Sequence, residues 1–188
     1  MTAVAALGFQ SCTDWDDHYD VTTDGSGVSD QTLWEQISNN PKLSNFAALM
    51  KKVGYDKALS TNQSYTVWAP SNDAFDFEKY NAMSDSLLKA EFLNNHIARG
   101  YHRATGEINE RVHLLNKKVM AFQGNGRYTL GNIAIDSTNM LGKNGIIHLM
   151  SSYMDFRPNF YGEVLRNEDT TRLAQLDKSA MKREIDKE

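Results

Sequence analysis

The chain has 188 residues, 40% of them apolar, a net charge of −4 and a single cysteine. That length allows one domain with a sizeable core plus tails. The acidic balance disfavours a nucleic-acid partner, one thiol excludes an internal disulfide, and no window approaches the roughly 18 apolar residues of a membrane-spanning helix.

The first segment, Met1-Thr2-Ala3-Val4-Ala5-Ala6-Leu7-Gly8-Phe9, is small and apolar, and Gln10-Ser11-Cys12 follows it. The arrangement resembles the end of a secretory signal peptide running into a loose bacterial lipobox. The acidic run Thr13-Asp14-Trp15-Asp16-Asp17 behind it resembles the surface-export signal of Bacteroidetes lipoproteins. The resemblance implies a residual signal over 1–11, lipid attachment at Cys12, and a surface-exposed outer-membrane lipoprotein. No Lys or Arg precedes Lys42, so the charged start of a complete signal is missing and the natural start is expected upstream. A frayed tail on a cytosolic protein is the plain alternative. Residues 12–28, rich in Asp, Gly and Ser, read as a hydrated flexible tether.

A domain is expected over 29–158. Ser29 or Asp30 is expected to cap a short helix carrying Leu33, Trp34 and Ile37 on one face. Pro41 starts the next helix, where Leu43, Phe46, Ala47, Met50 and Val53 recur at helical spacing, and Gly54 ends it. Tyr65-Thr66-Val67-Trp68 suits a half-buried strand that Pro70 terminates. Ser71, Asn72 and Asp73 are then placed to cap a new helix, with Phe75 packing back on the strand. Ser84 caps a helix burying Leu88, Phe92, Leu93 and His96 and closing at Gly100. Residues 118–123 and 127–130 flank Gly124-Asn125-Gly126, a hairpin signal. Ile133-Ala134-Ile135 follows a turn. Asn144-Gly145, read as a tight turn, introduces the apolar strand Ile146-Ile147-His148-Leu149-Met150. Helices first and strands later give an α+β domain.

Two of these segments, Tyr65 to Phe75 and Asn144 to Met150, resemble the paired signature segments of fasciclin-like domains. Asn95-His96 resembles the tyrosine-histidine stretch between them, with Asn95 in place of the tyrosine, and Leu114-Leu115-Asn116-Lys117 resembles the family's entry into a hairpin. The resemblance implies a wedge of two small β-sheets flanked by helices. It also implies an extracellular adhesion or binding module that is not an enzyme. Thr66, Ala69, Pro70, Asn72, Asp73, Phe75, His96, Gly145, Ile147 and His148 are the structural members of the motifs. In the family the region around Asn95 lies near the adhesive surface, which makes Arg99, Tyr101, His102 and Arg103 the candidate interaction residues. The hairpin tip at 124–127 is a second candidate.

Residues 159–188 form a charged tail. Tyr161, Val164, Leu173 and Leu176 repeat the spacing of Trp34, Ile37, Phe46 and Leu49. They are read either as the start of a second fasciclin-like repeat or as a plain charged helix.

No catalytic residue emerges: G-x-S-x-G, H-E-x-x-H and P-loop patterns are absent. The five histidines are scattered, so no metal site or cofactor is expected, and His96 and His148 are expected to meet each other or backbone carbonyls. Asp14, Asp16, Asp17 and Asp20 on a flexible tail would hold Ca²⁺ only weakly. The leading function is surface adhesion to an extracellular protein or polysaccharide, with the membrane reached through the lipid anchor. The alternative is an accessory glycan-binding lipoprotein of a polysaccharide-utilisation system, with Trp34, Tyr55 or Tyr80 as sugar platform. A hydrolase with an unrecognised site is the third reading.

Overall fold

The computed structural model describes residues 28–156. Cys12, the tether before Val28 and the segment 159–188 lie outside the described residues.

Helix α1 (Leu33–Asn39) opens at Thr32 rather than at Ser29 or Asp30. Thr32 Oγ1 accepts the Glu35 N–H at 3.3 Å, and the Glu35 carboxylate accepts the Thr32 N–H at 2.7 Å. This reciprocal box satisfies two N–H groups that a simple serine cap would leave half served. Ser29 instead donates its N–H to Leu141 O. A 3₁₀ turn (Pro41–Leu43) leads into α2 (Ser44–Lys52), which buries Phe46, Ala47, Leu49 and Met50. Helix α3 (Tyr55–Ala58) follows Gly54.

Strand β1 (Tyr65–Pro70) runs two residues past Trp68 and includes Pro70. Trp68 N–H donates to His96 O and Ser71 N–H to Met150 O, so N–H groups alternate between the two neighbouring strands. By that alternation the missing N–H of Pro70 falls on the side where the neighbour has already ended, and no ladder bond is lost. Ser71, Asn72 and Asp73 do not cap a helix of their own: the turn at Asn72–Ala74 has no side-chain cap, and Asp76 caps α4 (Phe77–Asn81). Ser84 caps α5 (Asp85–Leu87), which continues through a π turn (Leu88–Phe92) and a 3₁₀ turn (Leu93–Asn95).

That helix does not reach Gly100. Ile97–Arg99 is strand β2, antiparallel to β1, because Ile97 and Ala98 bury on opposite faces of a sheet. Strands β3 (Glu107–His113), β4 (Val119–Asn125), β5 (Arg127–Leu130) and β6 (Ile133–Ala134) form one four-stranded sheet in sequence order. Strands β7 (Ser137–Gly142) and β8 (Gly145–Met150) join the other, ordered β2-β1-β8-β7. The fold is α+β, two small sheets with helices, as the sequence implies.

The β1–β8 seam is parallel, from Tyr65 opposite Gly145 to Pro70 opposite Met150. A Cβ on Gly145 would lie 2.0 Å from Tyr65 O, so the close approach requires glycine. The β7–β8 turn is Lys143-Asn144 rather than Asn144-Gly145, since Gly142 pairs with Gly145. Asn144 is there for its amide: Oδ1 accepts the Leu33 N–H at 2.7 Å, and Nδ2 donates to Leu59 O and Thr61 O.

The β1–β8 sheet is a wall between two cores. Tyr65, Val67, Ala69 and Ile147 face the helices, with Phe46, Phe75 and Phe92. Trp68 and Met150 face the second sheet, with Val112, Phe122 and Leu130.

Candidate interaction surface

The signature residues turn inward. Thr66 Oγ1 donates to Gly100 O at 2.8 Å and accepts the His102 N–H at 3.0 Å. Asn72 Oδ1 accepts the Asn45 N–H, and Nδ2 donates to Pro41 O and Ser44 Oγ, so this side chain fastens the start of α2 to the end of β1. Phe75 is buried against Tyr80 and Phe92. Ala69 and Ile147 are fully buried, and Asp73 is exposed.

His96 and His148 do not meet: one lies in each core, and each is tied to the backbone at both ring nitrogens. His96 Nδ1 lies 2.8 Å from Phe92 O and Nε2 accepts the Met154 N–H at 3.0 Å, which fixes the Nδ1–H tautomer. His148 Nδ1 accepts the Asn139 N–H at 3.3 Å and Nε2 donates to His102 O at 2.9 Å, the opposite tautomer. Burial pushes both imidazoles down to about 4, so both are neutral at pH 7. Asn95 is also buried. Its Nδ2 donates to Met154 O and its Oδ1 accepts from Asn116 Nδ2. Together Asn95 and His96 clamp Met154 by its N–H and its C=O, so the tyrosine position of the family motif serves packing in this chain.

The exposed candidates lie just beyond. Gly100, at φ 89°, turns the chain out of β2. After it the side chains alternate: Arg99, Tyr101 and Arg103 are exposed, while His102 and Ala104 turn in. His102 is held at four points. Its N–H goes to Thr66, its C=O accepts from His148, Nδ1 lies 2.7 Å from Glu110 Oε1, and Nε2 lies 3.0 Å from Arg99 O. Its ring also packs on Trp68, with centroids 5.8 Å apart. His102 thus fixes the run that carries Arg99, Tyr101 and Arg103 and also lines the cleft beside it. Tyr101 is 51% exposed.

An open cleft of about 530 Å³ lies between β2 and β3, with Arg99, His102, Glu110, Arg111 and His113 around it. Arg111 and His113 escape the sequence reading because β3 does. The one signal for that strand, apolar Ile108 and Val112 among charges, has helical as well as strand spacing. A second, polar cleft is lined by Asn40, Lys42, Asn72, Asp73, Asp136 and Ser137.

The hairpin tip at 124–127 exposes Asn125, Gly126 and Arg127 but lines none of these clefts. Of the aromatics named for a sugar platform, Tyr55 and Tyr80 are 7% and 4% exposed and belong to the helix-side core, while Trp34 is partly buried against it. Among the described residues no three of His, Cys, Asp or Glu cluster as metal ligands.

The fasciclin domain matches residues 41–155, more than half the chain. Protein sll1483 of Synechocystis sp. (strain ATCC 27184 / PCC 6803 / Kazusa) is 26% identical over 143 residues, covering 69% of this chain and 79% of that protein. Among solved structures, a FAS1 domain pair from the insect cell adhesion molecule fasciclin I matches with a TM-score of 0.51 at 14% identity. The match covers 66% of this chain and 50% of that one, so this chain spans about half the length of that solved chain. The chain belongs to the fasciclin domain family, whose members are modules of cell adhesion and binding.

Proposed function

We propose that this chain is a surface-anchored, non-enzymatic adhesion module, held to the outer membrane by lipid on Cys12, that engages an extracellular protein through the run 99–103. The carrying observation is the alternation there: Arg99, Tyr101 and Arg103 face water, while His102 is fastened from four sides. A pre-set run of cationic and aromatic side chains loses little freedom on binding, and Arg and Tyr are enriched among residues that dominate interface energies. A further fasciclin-like repeat beyond 159 fits a family in which a solved relative is a domain pair.

The test is adhesion of the 188-residue chain to immobilised matrix proteins and polysaccharides. Replacing Arg99, Tyr101 and Arg103 together by Ala is expected to weaken adhesion about tenfold or more. Full adhesion by that variant removes the site. The anchor is tested separately by labelling with a palmitate analogue in a bacterial host. Wild type is expected to label and Cys12→Ser is not; equal labelling overturns the lipoprotein reading.

A further inference from the structure

The cleft between β2 and β3 has two properties that the adhesion reading does not use. The first is charge. Arg99 and Arg111 line the cleft against Glu110, a net +1 in a chain whose total is −4. Glu110 is occupied by His102. Among the described residues Arg99, Arg111 and His113 have no side-chain hydrogen bond or ion pair.

The second is an open strand edge. Among the described residues β3 is an outer strand, bonded to β4 alone. Leu114 donates its N–H to Lys118 O, on the β4 side, so by the alternation of an antiparallel ladder Glu107, Asn109 and Arg111 turn their N–H and C=O groups the other way. Those groups make no backbone bond among the described residues. Among the described residues the two sheets are joined edge to edge at one end, where Ala98 bridges Leu114 and Leu115 N–H reaches Ile97 O. From there the run 99–106 passes to the start of β3 at Glu107, and the His102–Glu110 contact lies on the strand face shared with Ile108 and Val112, closing the inner side of the fork between β2 and β3.

We infer that this fork takes an extended acidic polypeptide segment of a partner protein, which adds to the open edge of β3 while its carboxylates meet Arg99, Arg111 and His113. The inference rests on the binding-module reading and names the chemistry of the partner. A peptide fits better than an acidic polysaccharide for two reasons. The free edge offers donors and acceptors at the repeat of an extended chain, about 7 Å for every second residue, which peptide groups match and sugar hydroxyls do not. The cleft also lacks the flat exposed aromatic rings on which sugars stack. The charges on β3 have a complementary effect. They discourage indiscriminate edge pairing, while the acidic preference comes from Arg99, Arg111 and His113 at the cleft end of the strand.

The test uses the full chain and a fluorescein-labelled alternating Val-Glu octapeptide, with the alternating Val-Lys octapeptide and a labelled oligogalacturonate as the other arms. Two variants separate the two properties, and neither belongs to 99–103. Arg111→Glu reverses one charge. Asn109→Pro removes one outward N–H at an edge position where proline is tolerated. The Val-Glu peptide is expected to bind and each variant to weaken it about tenfold, with unfolding transitions unchanged. Absent binding, or binding unaltered by Asn109→Pro, overturns strand addition. Oligogalacturonate binding as tight as the peptide assigns the cleft to polysaccharide and also overturns it. Loss of peptide binding with intact adhesion, or the reverse, shows that this inference and the 99–103 surface stand or fall separately.

Discussion

The two cores on either side of the β1–β8 wall are held in different ways. The helix-side core is thick: it has nineteen buried side chains from helices and strands, the Phe46, Phe75 and Phe92 rings among them, and its histidine bonds to Phe92 O four residues earlier and to the Met154 N–H. The core against the second sheet has ten buried members and is tied by long-range polar contacts. Trp68 stacks on His148 at 5.6 Å, His148 reaches the backbone of His102 and Asn139, and Asn139 in turn exchanges bonds with both the N–H and the C=O of Ala104. Where apolar volume is ample, polar ties such as Asn144 and the His96–Met154 contact join a large buried surface. Where it is thin, buried hydrogen bonds supply the specificity, and each is costly to break.

Acid is expected to have the largest effect, and it strikes both cores. Unfolded, each imidazole gains its proton near pH 6.5; folded, His96 and His148 gain it only near 4. Between those values the unfolded chain binds more protons, so stability falls as pH drops through the window and no further below it on their account. Each histidine contributes on the order of 3 kcal/mol to that loss. Urea titrations from pH 7 to 4 measure it, and replacing either histidine by Gln should remove about half the pH dependence. A single site carrying all of it would break the symmetry between the cores.

Next in size is Trp68→Ala, at about 3–5 kcal/mol in urea unfolding at pH 7, because a fully buried indole leaves a cavity in the thinner core. Trp68→Phe should cost clearly less, since its ring fills much of that cavity while, like Ala, it removes Nε1–H, the buried side-chain donor without a partner among the described residues. Equal costs for the two variants would mean that the indole volume does not matter there. Asn144→Ala follows at about 2–3 kcal/mol, because it strands the Leu33 N–H and the Leu59 and Thr61 carbonyls. The smallest effect belongs to the Arg99, Tyr101 and Arg103 triple alanine variant. It should lie within about 0.5 kcal/mol of wild type, because none of the three is buried.

The sequence shows the helix-side core more clearly than the other. Helix α2 announces itself through Phe46, Ala47 and Met50 at helical spacing, and β1 and β8 through continuous apolar runs. The second sheet is only half legible. The glycines at 124 and 126 mark the β4–β5 hairpin, whereas β3 (Glu-Ile-Asn-Glu-Arg-Val-His) and β7 (Ser-Thr-Asn-Met-Leu-Gly) are polar edge strands without clean alternation. Strand β2 is hidden because Ile97-Ala98-Arg99 continues a helical-looking pattern, and only pairing with β1 gives it strand character. For the candidate surface, the sequence names the exposed trio but not its support. Nothing local to His102 foretells Thr66, Glu110 and His148 as its partners, since those contacts span 8 to 46 residues.

The parallel seam has a consequence in time. Its two strands pair residues eighty apart, with Tyr65 opposite Gly145. During synthesis the wall between the cores cannot form until β8 has left the ribosome, so the helices must wait with Phe46 and Phe92 incompletely covered. Closure of so long a loop is slow for a domain of this size. A nascent chain stopped before residue 145 is therefore expected to be protease-sensitive along its whole length and to gain protection in a single step once Met150 is free to pair.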